Sequence, residues 1–510
     1  MKKILALLLT LAFGLFALAG CGGDESADTT NFVFATTDME NMDPAIEYQG
    51  WGTMRYGVGE TLFKLSESLE PEAFMADDYQ LSDDQLTWTI TIKDGIVFHN
   101  GNPVDGNAVK STLERLLENN DRAASDLMVA NIEADGQKVM ITTTEPNPTL
   151  INSLCDPYAC IVDASIDTSN YSEMAIGTGP YKVVEYIADE QIKLEPNTDY
   201  WNGDPKLDSL TIRDIPDAST LASALESGEI NAAYGIPYDS LERFKSDESF
   251  KVSQKATSRV FMIYFNMNDE FIQDKTLRDA ISMAVDKEAL ANVVLAGAGT
   301  ATKAAFPSNL SYGNDEDMTN AKDFDLEGAK QLLADNGYID SDNDGILEKD
   351  GKPVELKMVT YTRTGLPQQA EAVQSGLRDL GLSVSYELVE SAEDILNSGD
   401  FSLAPYAYVT APTGDPLSYL NYTMGTDQGS NFGKYSNSEI DAKLREMSSE
   451  FDPEKRSQLA VEIQQLALAD SAYCYMTHLN MALVMGADVV GLEEHPSDYY
   501  IINVDTGFSE

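Results

Sequence analysis

The sequence predicts a mixed α/β protein of two or three domains, for three reasons. The chain has 510 residues, whereas a single hydrophobic core stops growing at roughly 250–300. Short runs rich in β-branched and aromatic residues alternate with helical patterns, most clearly across residues 177–235. Residues 355–361, 366–380 and 383–388 follow one another as strand, helix and strand, the spacing of a parallel crossover unit.

In chain order, residues 4–18 are apolar behind Lys2 and Lys3, and Leu18-Ala-Gly-Cys21 comes next. That run is shorter than the ~20 residues a spanning helix needs, so residues 1–20 read as a signal peptide. Residues 22–30 (GGDESADTT) form a flexible tether. The first strand covers 31–36. Another covers 88–92, and Asp105 caps a helix over 107–118 with Val109, Leu113, Leu116 and Leu117 on its core face. Residues 139–143 and 149–154 continue this pattern.

From Gly177-Thr-Gly-Pro the chain turns into strands at 181–186 and 191–195, a loop at 197–205 and a strand at 210–215. Asp217 then opens a helix that stops at Gly228. Residues 259–266 (RVFMIYFN) are almost wholly apolar, as in a strand buried on both faces. Helices follow at 274–290, 325–336, 438–447 and 452–470, with strands at 472–476 and 480–485.

Formal net charge is −51, and loss of Lys2 and Lys3 with the signal takes it to −53. Such a field excludes nucleic acid as a partner, because phosphate binding needs clustered Lys and Arg. The cysteines are Cys21, Cys155, Cys160 and Cys474. Asp156-Pro157 is a turn that could bring Cys155 and Cys160 into disulfide range; equally, their apolar company suits buried free thiols. Residues 340–351 place Asp340, Asp342, Asp344 and Gly345 at positions one, three, five and six of a calcium loop, but Gly351 stands where a bidentate Glu is required. A charged surface loop is the competing reading. No Gly-x-Ser-x-Gly elbow, His-Glu-x-x-His or catalytic cysteine setting occurs, so a secreted hydrolase has no support and the protein is read as not an enzyme.

Ordered blocks carry a family resemblance: Gly177-Thr-Gly-Pro-Tyr, Glu195-Pro-Asn, Asp199-Tyr-Trp, Pro205-Lys-Leu-Asp, Ile215-Pro-Asp-Ala-Ser-Thr, Ala224-Leu and Ser227-Gly-Glu-Ile. Together they resemble the signature region of the extracytoplasmic solute-binding proteins of ABC importers, the branch for oligopeptides, dipeptides and nickel chelates. The resemblance implies a two-lobed α/β protein of the type II periplasmic-binding-protein kind with an inserted subdomain. Lobe I would take 31–60, 177–258 and 482–510, the subdomain 61–176, and lobe II 259–481. It also implies a monomer that closes on a small peptide or metal chelate and hands it to an ABC permease with its ATPase subunits. No intrinsic cofactor is expected, although nickel could travel as a chelate. Leu18-Ala-Gly-Cys21 resembles a lipoprotein box, which implies an extracytoplasmic protein anchored to the membrane through diacylated Cys21.

Arg55 and Arg363 are the leading ligand candidates. Both are isolated cations on Gly-rich or strand-end segments, where a planar guanidinium makes a good carboxylate fork. Their contexts resemble the nickel-chelate branch, whose arginines hold chelator carboxylates. Asp415, in Asp-Pro, matches the position that pairs with the ligand ammonium in peptide binders; otherwise it is a helix-start turn. His478, on an apolar strand, is either a structural residue or, as in some nickel-binding members, a metal ligand that completes a chelate. Trp51, Tyr406, Tyr408 and Tyr422 could wall the cleft.

Overall fold

One mixed sheet runs through both halves of the molecule. In spatial order its strands are Ser383–Val389, Glu355–Tyr361, Leu403–Val409, Phe250–Phe265, Tyr473–Gly486, Ala232–Tyr234, Asn31–Thr36, Ser209–Asp214, Gln191–Pro196 and Tyr181–Ile187. This computed structural model describes residues 31–39, 41–46 and 50–509. The expected signal peptide, Cys21 and the tether lie outside the described residues.

The crossover unit is present. Glu355–Tyr361 and Ser383–Val389 pair in parallel, with Glu355 opposite Ser383. Between them runs the helix Leu366–Asp379, whose Leu366, Ala370, Val373 and Leu377 recur at helical spacing and are buried. The helix expected over 274–290 is instead interrupted: Lys275–Met283 ends, and a new turn starts at Lys287 under its own cap, Asp286.

Two strands are far longer than the sequence suggests. Phe250–Phe265 has 16 residues and Tyr473–Gly486 has 14. They pair antiparallel, from Phe250 opposite Gly486 to Tyr264 opposite Tyr473. One end of this ribbon pairs with Ala232–Tyr234 of lobe I and the other with Leu403–Val409 of lobe II, so the ribbon joins the lobes. Its register shifts between Ala256 and Val260, which places a bulge around Thr257–Arg259, and bulges bend strands locally. The boundary expected at 259 falls on this bulge. Residues 250–258 (FKVSQKATS) are polar and mostly half-buried, which is why they lack the apolar signature of a strand.

Residues 61–176 carry a separate four-stranded antiparallel sheet, ordered Ala76–Leu81, Thr87–Ile92, Lys138–Thr143, Val129–Asp135. The helix Gly106–Asn119 covers it, capped by Asp105, which accepts from the Asn107 and Ala108 amides. Residues Leu150–Ser153 form a short helix. Cys155, Cys160 and Cys474 are free and buried, so the disulfide alternative gives way to buried thiols, each pushed up by burial.

In the same subdomain Arg122 grips Asp156 through both terminal nitrogens, at 2.8 and 2.9 Å, beside Asp126. Burial pushes the Asp126 carboxyl from 3.8 up to about 6. The folded state therefore holds that proton more tightly than the unfolded chain. The resulting stability is complete below the unfolded value and is lost as pH rises through about 6. Asp126→Asn is expected to flatten this part of a Tm-against-pH curve; an unchanged slope contradicts the assignment.

Lobe II touches the subdomain directly. Asn152 Nδ2 donates to the Thr413 carbonyl at 2.9 Å, and Asn309 Nδ2 donates to the Glu67 carbonyl at 3.2 Å. From the ribbon, Lys255 Nζ also reaches Glu67 Oε2 of the subdomain at 2.8 Å. Gly414, at φ +73°, lies so close that a Cβ there would stand 1.7 Å from the Leu69 carbonyl oxygen. Any side chain at 414 would clash with the subdomain backbone at Leu69.

Candidate ligand-binding site

Charge gathers where the ribbon meets both lobes. Arg55 ends the short helix Gly50–Arg55 of lobe I. Its Nη2 donates to Asp498 Oδ2 at 2.6 Å and its Nε to the Asp498 carbonyl at 2.9 Å. The guanidinium lies 4.7 Å from the centre of the Trp51 ring and 5.4 Å from that of Tyr234, within cation–π range. Tyr234 donates its hydroxyl to Asp498 Oδ1 at 2.7 Å. Asp498 itself sits at φ +66°, a conformation Asp tolerates better than most residues.

Arg259, at the bulge, reaches the same carboxylate: Nη2 is 3.7 Å from Asp498 Oδ2. Its Nε is buried without a partner among the described residues. Burial first, and repulsion from Arg363 second, pull the Arg259 guanidinium below its usual range. Arg363 follows the strand Glu355–Tyr361 of lobe II. No acid among the described residues makes an ion pair with it. Tyr238 and Tyr361 lie beside both arginines; burial pushes Tyr238 up to about 12 and raises Tyr361 as well. Arg55 and Arg259 thus share the Asp498 carboxylate, and Arg363 stands beside Arg259 without an acid of its own among the described residues.

Arg55 and Arg363, singled out as a pair in the sequence, both lie near Arg259. Arg55 stands in it as a partner of Asp498, whereas Arg259 and Arg363 are the less compensated cations. Trp51 is the platform under Arg55, and it meets Tyr499 edge-on at 5.4 Å. Tyr406 packs on Tyr361 at 5.1 Å and on Tyr408 at 6.4 Å. These rings line lobe II next to the strand that leads into Arg363. Tyr422 lies on the helix Leu417–Met424, half-buried.

Asp415 is placed differently from expectation. Arg456 donates to its Oδ2 from Nε at 3.0 Å and from Nη2 at 2.5 Å, and the Leu417 amide donates to its Oδ1 at 2.8 Å. The carboxylate is already filled inside lobe II, so the helix-start reading holds and the ammonium-anchor reading does not fit. His478 pairs across the sheet with Val260 and Thr300 and is 3% exposed. Burial pushes it down to about 4, with the carbonyls of Phe306, Ala304 and Arg259 and the Asp315 carboxylate nearby. Neither ring nitrogen finds a hydrogen bond among the described residues. It is packed into lobe II against the segment around Ala304 and Phe306.

Arg259, Asp498, Tyr234, Tyr238 and Tyr361 escape sequence reasoning. Arg259 offers one signal, a lone cation heading an eight-residue apolar run. Asp498 offers none. In the 340–351 loop, Asp340, Asp342, Asp344 and Glu348 bring carboxylate oxygens within 4.8 Å of one another. Those oxygens also accept the loop's own amides, Gly345 on Asp340 at 3.0 Å and Ser341 on Glu348 at 2.7 Å.

Guanidiniums converging from two lobes across a two-stranded hinge define a two-lobed binding protein. The chain belongs to the bacterial extracellular solute-binding proteins, family 5: residues 70–431 match the family's middle region. It is 25% identical over 501 residues to the nickel-binding protein NikA of Staphylococcus aureus, covering 98% of each chain. It is 26% identical over 537 residues to the oligopeptide-binding protein AppA of Bacillus subtilis, again covering 98% of each. A Bacillus halodurans structure described as a nickel ABC transporter superposes with TM-score 0.80 at 26% identity, over 93% of this chain and 100% of that one. Staphylococcus aureus NikA in complex with Ni(L-His)2 superposes with TM-score 0.78 at 24% identity, over 94% and 100%. Among the described residues no helix is long and apolar enough to cross a membrane.

Proposed function

We propose that this protein captures a small carboxylate-bearing ligand, of the nickel-chelate type, between its lobes and delivers it to an ABC permease from a lipid anchor at Cys21. The supporting observation is that Arg55 and Arg259 meet on Asp498 while Arg363 stands beside Arg259, with Arg259 Nε unpaired and Arg363 without an acid partner among the described residues. An anion between Arg259 and Arg363 supplies the missing counter-charge and closes the lobes onto it. Nickel is cargo in this reading, held by its chelator. His478 is not needed to bind it.

The alternative within the same family is a peptide ligand. It rests on the likeness to AppA, without Asp415 as its anchor, because that carboxylate is paired with Arg456. A panel separates the two. In thermal-shift measurements, nickel(II) with L-histidine is expected to raise Tm, by about 3 kcal/mol of stabilisation at a hundredfold excess over Kd. Di- and oligopeptides are expected to leave it unchanged. Stabilisation by peptides, with none from nickel–histidine, overturns the preference.

A further inference from the structure

We propose that Glu494 carries a proton in the folded protein and thereby keeps the arginine cluster cationic enough to hold a carboxylate ligand, making it a positioning residue that couples capture to pH. The inference rests on the carboxylate-ligand reading above.

Glu494 lies four residues before Asp498 and is 1% exposed. Its backbone amide donates to Ser253 Oγ of the ribbon at 2.9 Å, but neither carboxyl oxygen has a partner among the described residues. Among the described residues the charged groups facing it are Asp498 from its own segment, Arg55 from the lobe I helix and Lys255 from the ribbon; Tyr234 faces it from the lobe I strand. The two cations are engaged elsewhere, Lys255 by Glu67 at 2.8 Å and Arg55 by Asp498 at 2.6 Å. His495 turns to Ser497 Oγ and to the Tyr500 ring. A buried carboxylate with no hydrogen bond and a second carboxylate beside it is the setting in which a carboxyl keeps its proton. Burial pushes the Glu494 carboxyl well above its usual range, and Asp498 pushes it the same way.

Protonated, Glu494 adds no charge to the Asp498 carboxylate that Arg55 and Arg259 share. Ionised, it adds a second negative charge next to Arg55 and Asp498. The arginines then have less positive charge to offer, and carboxylate affinity falls. Proton and ligand therefore favour each other.

The test compares the full chain with Glu494→Gln, which stays neutral at every pH. Nickel(II) with L-histidine is titrated calorimetrically into each across the whole pH range in which both proteins stay folded. Comparing the two proteins at one pH cancels the chelate's own titration. The Kd of the wild type relative to the variant is expected to start near one and rise roughly tenfold as Glu494 ionises. A ratio constant across the range overturns the proposal. If nickel–histidine binds neither protein, the ligand reading fails and ligand-free melts judge Glu494. A raised folded value makes its stabilisation complete below the unfolded value of 4.5 and lost as pH climbs from there. Wild-type Tm should therefore decline against the variant with rising pH, and parallel curves overturn the proposal. Glu494→Leu, equally neutral, replaces Gln if that variant does not fold.

Discussion

Arg363→Ala is expected to weaken nickel–histidine binding by roughly ten- to a hundredfold, the range for loss of one charge-assisted contact of about 1.5–3 kcal/mol. The effect should lie in affinity and not in folding. Arg363 sits in the turn between Tyr361 and Leu366, half-buried, and makes no ion pair among the described residues. Its removal even relieves repulsion on Arg259, so the melt of the ligand-free variant should match or slightly exceed that of the wild type. Calorimetric titration checks the first expectation and a melt the second. An unchanged Kd would place the ligand away from Arg363.

Asp498→Ala is expected to lower folding stability by about 3–5 kcal/mol, because removing the acid from a buried ion pair leaves positive charge there undercompensated. Asp498 is the acceptor for Arg55 and Tyr234 and the nearest acid to Arg259. Its side chain is 5% exposed and that of Arg55 11%, so water cannot replace it. The backbone at φ +66° adds to the cost. Asp498→Asn separates the terms, since Asn tolerates the same conformation and loses only the charge. It should fall between wild type and Ala in urea denaturation. A loss below about 1 kcal/mol for Ala would mean that the cluster relaxes around the missing acid.

The sequence exposed the scaffold better than the site, for physical reasons. Strand–helix–strand at 355–388 and the Asp105 and Asp217 caps are local patterns, and local patterns are legible. The ribbon was hidden because strand formation at 250–258 depends on a distant partner, residues 480–486, and not on its own alternation. The site was half legible for the same reason. Arg55 and Arg363 stand out as rare cations in an acidic chain, and only the family resemblance of their contexts, not local pattern, links the two. Arg259 was absorbed into an apolar strand, and Asp498 lies in a polar tail 443 residues from Arg55. Asp415 misled because Asp-Pro looks the same whether its carboxylate faces a ligand or, as here, Arg456 forty-one residues away.

Native mass spectrometry of protein purified without refolding tests the central claim most directly, because it weighs whatever the closed lobes hold. A single added mass that fits a small nickel chelate bearing carboxylates is predicted, and it should disappear in Arg363→Ala. A distribution of peptide masses that survives Arg363→Ala would contradict the account and return the protein to the peptide-binding side of its family.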